Sequence, residues 1–263
     1  MEFKQLDTWL KLADENLAES IKHRAKNLKN GKLYETDAYM IYTVGVDNED
    51  AHLNGVFCLD DTYAEEMLEK ANDIFKTMNR NYVVWVREHG NLKLEKILKE
   101  KGLKAKREPG SSGMIIKQRI APVEIPRGFE IKRVTTSKEA EDFSVVVQNA
   151  FEKPIEVAQE VFSSVETLFS PNVISYVVYQ KDHPVASVTT VVSGRVAGIY
   201  WVGTVEEARG QGLGSYITYV ATNAGFDAGA EAVILQASIA GERVYKKLGY
   251  ETITHYRWYP IDV

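Results

Sequence analysis

The 263 residues are enough for one large domain or two ordinary ones, and 44% apolar with 26% charged side chains is the balance of a folded globular protein. Residues 1–121 carry 20 basic and 20 acidic side chains and residues 122–263 carry 12 and 17, so the net charge of −5 lies in the second half, the wrong sign for a nucleic-acid partner. No run approaches the ~20 apolar residues of a membrane span, and with Cys58 as the one cysteine neither an intramolecular disulfide nor a cysteine-built zinc site is possible; no metal is expected.

The first residues, Met1-Glu-Phe-Lys-Gln-Leu-Asp7, lack the basic start and apolar core of a secretory signal, so a cytoplasmic location is expected. Leu6, Trp9, Leu10, Leu12, Leu17, Ile21 and Leu28 predict a long helix over 5–30. Its basic cluster Lys22-His-Arg-Ala-Lys-Asn-Leu-Lys29 is flanked by acidic residues and reads as a solvated helix face rather than an RNA contact. A short strand, Val56-Phe-Cys-Leu59, leads through Asp60-Asp-Thr62 into a helix ending near Met78. A strand at 82–86 and a helix at 92–101 follow, then Gly102.

Glu108-Pro-Gly-Ser-Ser-Gly113, Pro122, Pro126 and Gly128 punctuate a boundary between domains at 1–121 and 122–263, with a strand at 113–118 closing the first. Beyond it, Phe129-Glu-Ile-Lys-Arg-Val134 alternates as a half-buried strand should, and helices follow at 138–151 and 156–169 around Pro154. Strands at 173–179 and 185–192 form a hairpin turning at Lys181-Asp-His-Pro184. A strand at 197–205, a helix at 215–228, a strand at 232–237, a helix at 240–248 and a strand at 250–259 complete the chain. The fold class is therefore α/β with a mixed sheet, in which the βαβ crossover makes 197–205 and 232–237 parallel.

Between strand and helix stands Arg209-Gly-Gln-Gly-Leu-Gly-Ser215. Glycines let a backbone turn sharply and bring its N–H groups close to a ligand, and the start of the helix adds unpaired N–H groups and the positive end of its dipole. Arg209 supplies a fixed charge for the same anion. A Walker loop would need Lys and then Ser or Thr after its last glycine, where Ser215-Tyr216 stand. A dinucleotide fingerprint would need G-x-G-x-x-G, whereas these glycines fall as G-x-G-x-G. A general anion site or a ligand-free glycine turn remain the two readings of the loop alone.

The strand, Arg-x-x-Gly-x-Gly, helix and strand, followed by Val244-Tyr-Lys-Lys-Leu-Gly-Tyr250, resemble the GNAT acyltransferase superfamily over about 129–259. The resemblance implies that Arg209, Gly212 and Gly214, with Gly210, Gln211 and Ser215 in the same turn, receive the pyrophosphate of coenzyme A. It implies further that Val202, Gly203 and Thr204 offer backbone groups to the pantetheine arm. The family pattern Asn-x-x-Ala-x-x-x-Tyr-x-x-x-Gly-Phe falls on Ser238 to Tyr250. Ser238 there replaces the amide and Gly241 the alanine, which leaves Ser238 fewer hydrogen-bonding groups for the cofactor. Tyr245 takes the place of the phenol that protonates the departing thiolate, against the alternative of a core aromatic beside Val244 and Leu248. A backbone N–H near 202–204 is implied as the oxyanion donor.

The activity implied is N-acetyl transfer from acetyl-CoA to a primary amine of a small molecule or peptide, with cationic acceptors favoured by the excess of carboxylates. Glu152, Glu206, Glu207 and His183 were weighed as the general base, and none is singled out by the sequence. A non-catalytic acyl-CoA sensor is the alternative, and a nucleotide-binding module a third class. No nucleic-acid or membrane partner is expected, and nothing in the sequence speaks to oligomeric state.

Set against this pattern, Gly102 falls on Gly249, Asn91 on Ser238 and Leu98 on Tyr245. The first half then reads as a second, degenerate GNAT-like unit in tandem, with Asp60-Asp61 where the glycine loop would be. It should repel phosphate and leave one active site per chain. An unrelated α/β or helical cap is the rival reading of this half.

Overall fold

The computed structural model describes residues 3–45 and 50–263. In chain order the first elements are α1 (Phe3–Asn27), β1 (Lys32–Glu35), β2 (Tyr39–Thr43), β3 (Asn54–Cys58), α2 (Ala64–Met78), β4 (Tyr82–Arg87), α3 (Leu92–Glu100) and β5 (Ser111–Ile116). Then come β6 (Phe129–Arg133), α4 (Ser137–Ala150), α5 (Ile155–Phe162), α6 (Val165–Leu168), β7 (Phe169–Ser170), β8 (Val173–Gln180) and β9 (His183–Ser193). The chain ends with β10 (Val196–Thr204), α7 (Leu213–Asp227), β11 (Ala232–Ala237), α8 (Ile239–Lys247) and β12 (Glu251–Ile261). Among the described residues no helix is long and apolar enough to cross a membrane.

Two compact units result. The first comprises Met1–Leu10, Ile21–Gly113 and Thr252–Val263; the second comprises Lys11–Ser20 and Met114–Glu251. These units depart from the cut expected between 121 and 122 at three places. Leu17, Asn16 and Ser20 are buried with the second unit, residues 114–121 go with it, and β12 pairs antiparallel with β4 of the first unit (Trp258 opposite Trp85). Pairing partners far apart in sequence leave no mark in local composition.

In the first unit the strands run β1-β2-β3-β4-β12. β3 and β4 are parallel, with Val56 opposite Val84, and α2 is their crossover. Helices α2 and α3 bury Met67, Ala71, Phe75, Leu94 and Leu98 against Val56, Val84, Val86 and Tyr259. Strands β1 and β2 were not foreseen. β1 is polar and exposed, Lys32-Leu-Tyr-Glu35, and has no apolar alternation to announce it.

In the second unit the order is β11-β10-β9-β8-β6. β6, β8, β9 and β10 form the expected antiparallel meander, and β10 and β11 are parallel. The β8–β9 turn is tighter than expected. Lys181 and Asp182 have φ of 48° and 67°, and Gln180 pairs with His183, the signature of a two-residue type I′ turn. Residues 185–191 of β9 are buried without interruption, because both faces are covered and α4 and α7 each pack on it. A capping box starts α4: Glu139 N–H donates to Thr136 Oγ1, and Thr136 N–H donates to Glu139 Oε2 at 2.9 Å. The helix expected at 156–169 is two helices, α5 and α6, broken at Ser163-Ser164.

Candidate active site

Strand β10 carries the site because it outruns its parallel neighbour. Pairing with β11 extends from Val196–Ala232 to Ile199–Leu235 and stops, while β10 continues through Thr204. On its other side the register with β9 shifts between Tyr200–Thr189 and Gly203–Ser187, so β10 holds one extra residue, a β-bulge. Trp201 occupies the bulge at φ 55°, a left-handed conformation that costs a bulky side chain ~1–3 kcal/mol unless its surroundings enforce it. They do. The ring stands 4.5 Å from Phe162 and 5.4 Å from Phe151, and the Trp201 carbonyl accepts from Ser187 Oγ at 3.2 Å in the buried interior.

Gly203 follows because the Phe151 ring lies over it; a Cβ there would stand 2.7 Å from Phe151 Cε2. The consequence is a stretch of backbone, 202–204, that pairs with β9 in a shifted register on one side and is unpaired with β11 on the other. Sequence reasoning placed Val202, Gly203 and Thr204 here but missed Trp201 and Phe151. Two glycines inside one strand, Gly198 and Gly203, were the signal available.

A 3-10 turn, Glu206–Ala208, joins this strand to the glycine loop. Gly210 and Gly212 take φ of 76° and 85°, so both positions demand glycine for the sign of the backbone angle. Gly214 is already in α7, and a Cβ added at Gly210 or Gly214 would meet nothing within 4 Å, so the concave side of the turn is open. The helix begins at Leu213, two residues before the expected Ser215, with Gly212 as an N-cap that offers no side-chain acceptor to the first-turn N–H groups. Beside it the exposed Arg209 donates from Nε to the Thr204 carbonyl at 3.1 Å, which aligns its guanidinium with the loop. Gln211 is exposed, with Nε2 3.4 Å from the Glu207 carbonyl, and Ser215 is half-buried on the first turn. Strand end, arginine, glycine turn and helix start therefore come together as one continuous concave cradle.

The remaining sequence candidates sit on α8. Ser238 is its exposed N-cap, its Oγ accepting from Gly241 N–H at 3.1 Å while its own O–H can still donate outward. Tyr245 is 8% exposed, and burial pushes its phenol up to about 12, so at neutral pH it is a protonated donor. Its ring packs against Gly241, where a Cβ would stand 2.8 Å from Tyr245 Cε2; glycine rather than alanine at this position makes room for the ring. The neighbouring Tyr250 hydroxyl is held by Thr222 Oγ1 at 2.8 Å. Glu152, Glu206, Glu207 and His183 are all exposed. None is drawn into the site.

Residues 139–250 match the family model described as the acetyltransferase (GNAT) family. No curated protein matches the chain. Among solved structures, the chain is similar in fold to a GCN5-related N-acetyltransferase from Kribbella flavida (19% identity, 94% of this chain and 95% of that one, TM-score 0.71). It is also similar to a GCN5-related N-acetyltransferase from Sphaerobacter thermophilus (13% identity, 86% and 80% covered, TM-score 0.63). A tandem GNAT protein from the clavulanic acid biosynthesis pathway aligns over 95% of both chains at 10% identity with a TM-score of 0.62. The likeness in fold thus extends over most of the chain and not over the second unit alone.

Proposed function

We propose, from the premise that residues 139–250 are a domain of the acetyltransferase (GNAT) family, that the second unit transfers an acetyl group from acetyl-CoA to a primary amine of a small molecule or peptide. The observation that carries this reading is the cradle: two left-handed glycines and an uncapped α7 directly follow a strand that has left its neighbour. Its chemistry fits a coenzyme A diphosphate. First-turn N–H groups and the helix dipole meet the anion, and Arg209 exchanges its hold on the Thr204 carbonyl for a phosphate. The edge of 202–204 that has no partner in β11 suits an arm built of amides, and the Ser238 hydroxyl adds one further donor.

The bound thioester supplies an activated acyl carbon and a thiolate leaving group. The protein's part is to orient and to move protons. N–H groups of 202–204 stabilise negative charge on the carbonyl oxygen as the C–N bond forms. Tyr245 donates a hydrogen bond to sulfur as the C–S bond breaks, and the amine's proton passes through water to the departing thiolate. The carboxylate excess of the second half favours cationic acceptors, and a cytoplasmic location belongs to the same proposal.

Thiol release from acetyl-CoA over a panel of amines, with product masses, tests the reading. Turnover that falls in Tyr245→Phe supports it. Tight coenzyme A binding without turnover, indifferent to Tyr245→Phe, would identify a sensor instead. Calorimetric binding of ATP or NAD in place of coenzyme A would sink both.

A further inference from the structure

One residue of the N-terminal helix reaches into the strand that carries the bulge. Asn16 lies in Lys11–Ser20, the part of α1 that belongs to the second unit, and is fully buried. A buried amide is costly unless its groups find partners, and here they all do. Nδ2 donates to the Val191 carbonyl at 3.0 Å and to Ser193 Oγ at 2.8 Å, with the Val196 carbonyl at 3.4 Å. Oδ1 accepts from the Tyr200 hydroxyl at 2.8 Å. One side chain thus holds both strands of the β9–β10 hairpin and the residue at which their regular register ends.

The space for this clasp is cut into β10 itself. A Cβ at Gly198 would stand 2.0 Å from Asn16 Oδ1 and 2.5 Å from the Tyr200 hydroxyl. Gly198 and Tyr200 share one face of the strand, as residues two apart must. The next residue, Trp201, turns left-handed and starts the bulge, beyond which Gly203 and Thr204 pair with β9 in the shifted register and have no partner in β11. Tyr200 is therefore the last residue in the regular register before the backbone to which acyl transfer has been assigned, and Asn16 holds it.

We infer that Asn16 is a positioning residue for the second unit's reaction, holding β10 through Tyr200 so that the N–H groups of 202–204 face the acyl carbonyl. The inference rests on the acetyl-transfer reading. A purely structural Asn16 would alter stability alone; a positioning Asn16 alters turnover beyond what its effect on stability explains, because small displacements of an aligned donor are costly to rate.

Three variants separate these roles: Asn16→Ala removes the clasp, Asn16→Asp keeps its shape without the N–H donors, and Tyr200→Phe removes one hydroxyl. Thr190→Val is the control, since it deletes another buried hydrogen bond of the same unit, from Thr190 Oγ1 to the Ala221 carbonyl. Amide hydrogen exchange over 196–204, calorimetric coenzyme A binding, and kcat with acetyl-CoA are measured on the full chain. Asn16→Ala and Tyr200→Phe are expected to raise exchange at 200–204 and lower kcat about tenfold or more, with coenzyme A affinity falling less than kcat because the phosphate cradle is untouched. Asn16→Asp should not restore kcat. The inference is overturned if exchange at 200–204 is unchanged, or if kcat falls no further than in Thr190→Val at equal loss of thermal stability. Should Asn16→Ala fail to fold, Tyr200→Phe decides alone. A wild-type chain that acetylates no amine overturns the acetyl-transfer reading and the catalytic role with it, while raised exchange in the variants would still establish the clasp.

Discussion

The two units solve the strand-to-helix connection in opposite ways. From the end of β10 to the start of α7 there are eight residues, 205–212; from the end of β3 to the start of α2 there are five, 59–63. The three missing residues remove the length that the arginine and its glycines occupy. What remains is held by the unit's own carboxylates. Asp60 accepts from Thr62 N–H at 2.9 Å, and Asp61 accepts from Lys93 N–H at 2.6 Å and Leu94 N–H at 3.1 Å at the start of α3. Asn91, which corresponds to the exposed Ser238, is buried and turned inward to accept from Arg87 and donate to the Cys58 carbonyl. Yet the helix ends match residue for residue. Leu103 and Gly102 donate to Leu98 and Lys99, as Tyr250 and Gly249 donate to Tyr245 and Lys246. The same helix-end frame thus recurs in both units while the strand-to-helix connection differs.

The largest effect should come from giving the second unit a feature of the first. Gly212→Asp puts a carboxylate and a β-carbon at φ 85° in the cradle, and should weaken coenzyme A binding about 100-fold or more by calorimetry; retained affinity would dissociate the loop from the cofactor. Next, Tyr245→Leu copies Leu98, and should lower kcat about 100-fold with coenzyme A affinity little changed. Because the phenol is held at about 12, its proton stays on throughout the working range, so the wild-type rate should show no descending limb below about pH 10. A limb there would assign proton donation elsewhere. Arg209→Ala should cost about tenfold in affinity and flatten its dependence on salt, since a screened charge contact is lost. The smallest effect belongs to the first unit. Asp61→Ala should lower stability by about 1 kcal/mol in denaturant titration, through loss of a helix cap, and leave one coenzyme A bound per chain.

The parts of the site legible in the sequence were those in which chemistry and local conformation coincide. Glycines at 210 and 212 are required by the sign of φ, Arg209 by charge, and Gly249 by the helix end, so each residue type announces its place. The bulge was not legible, because Trp201 is held at positive φ by Phe151, Phe162 and Ser187, none of them its neighbour in sequence. The exposed β1 lacked the alternation that marks a half-buried strand. The missing cut at 121–122 reflects β12, whose partner β4 lies some 170 residues earlier.

By itself the sequence determined the α/β class, the glycine cradle with its arginine, Tyr245 on the helix beyond, and a first half that lacks the cradle. These follow from short-range rules of backbone angle, charge and periodicity. Only the tertiary structure decided that Asn16 belongs to the second unit, that β10 bulges at Trp201, and that Asp61 caps α3. Each depends on atoms brought together across long stretches of chain, where burial and unmet hydrogen bonds, rather than local propensity, fix the outcome.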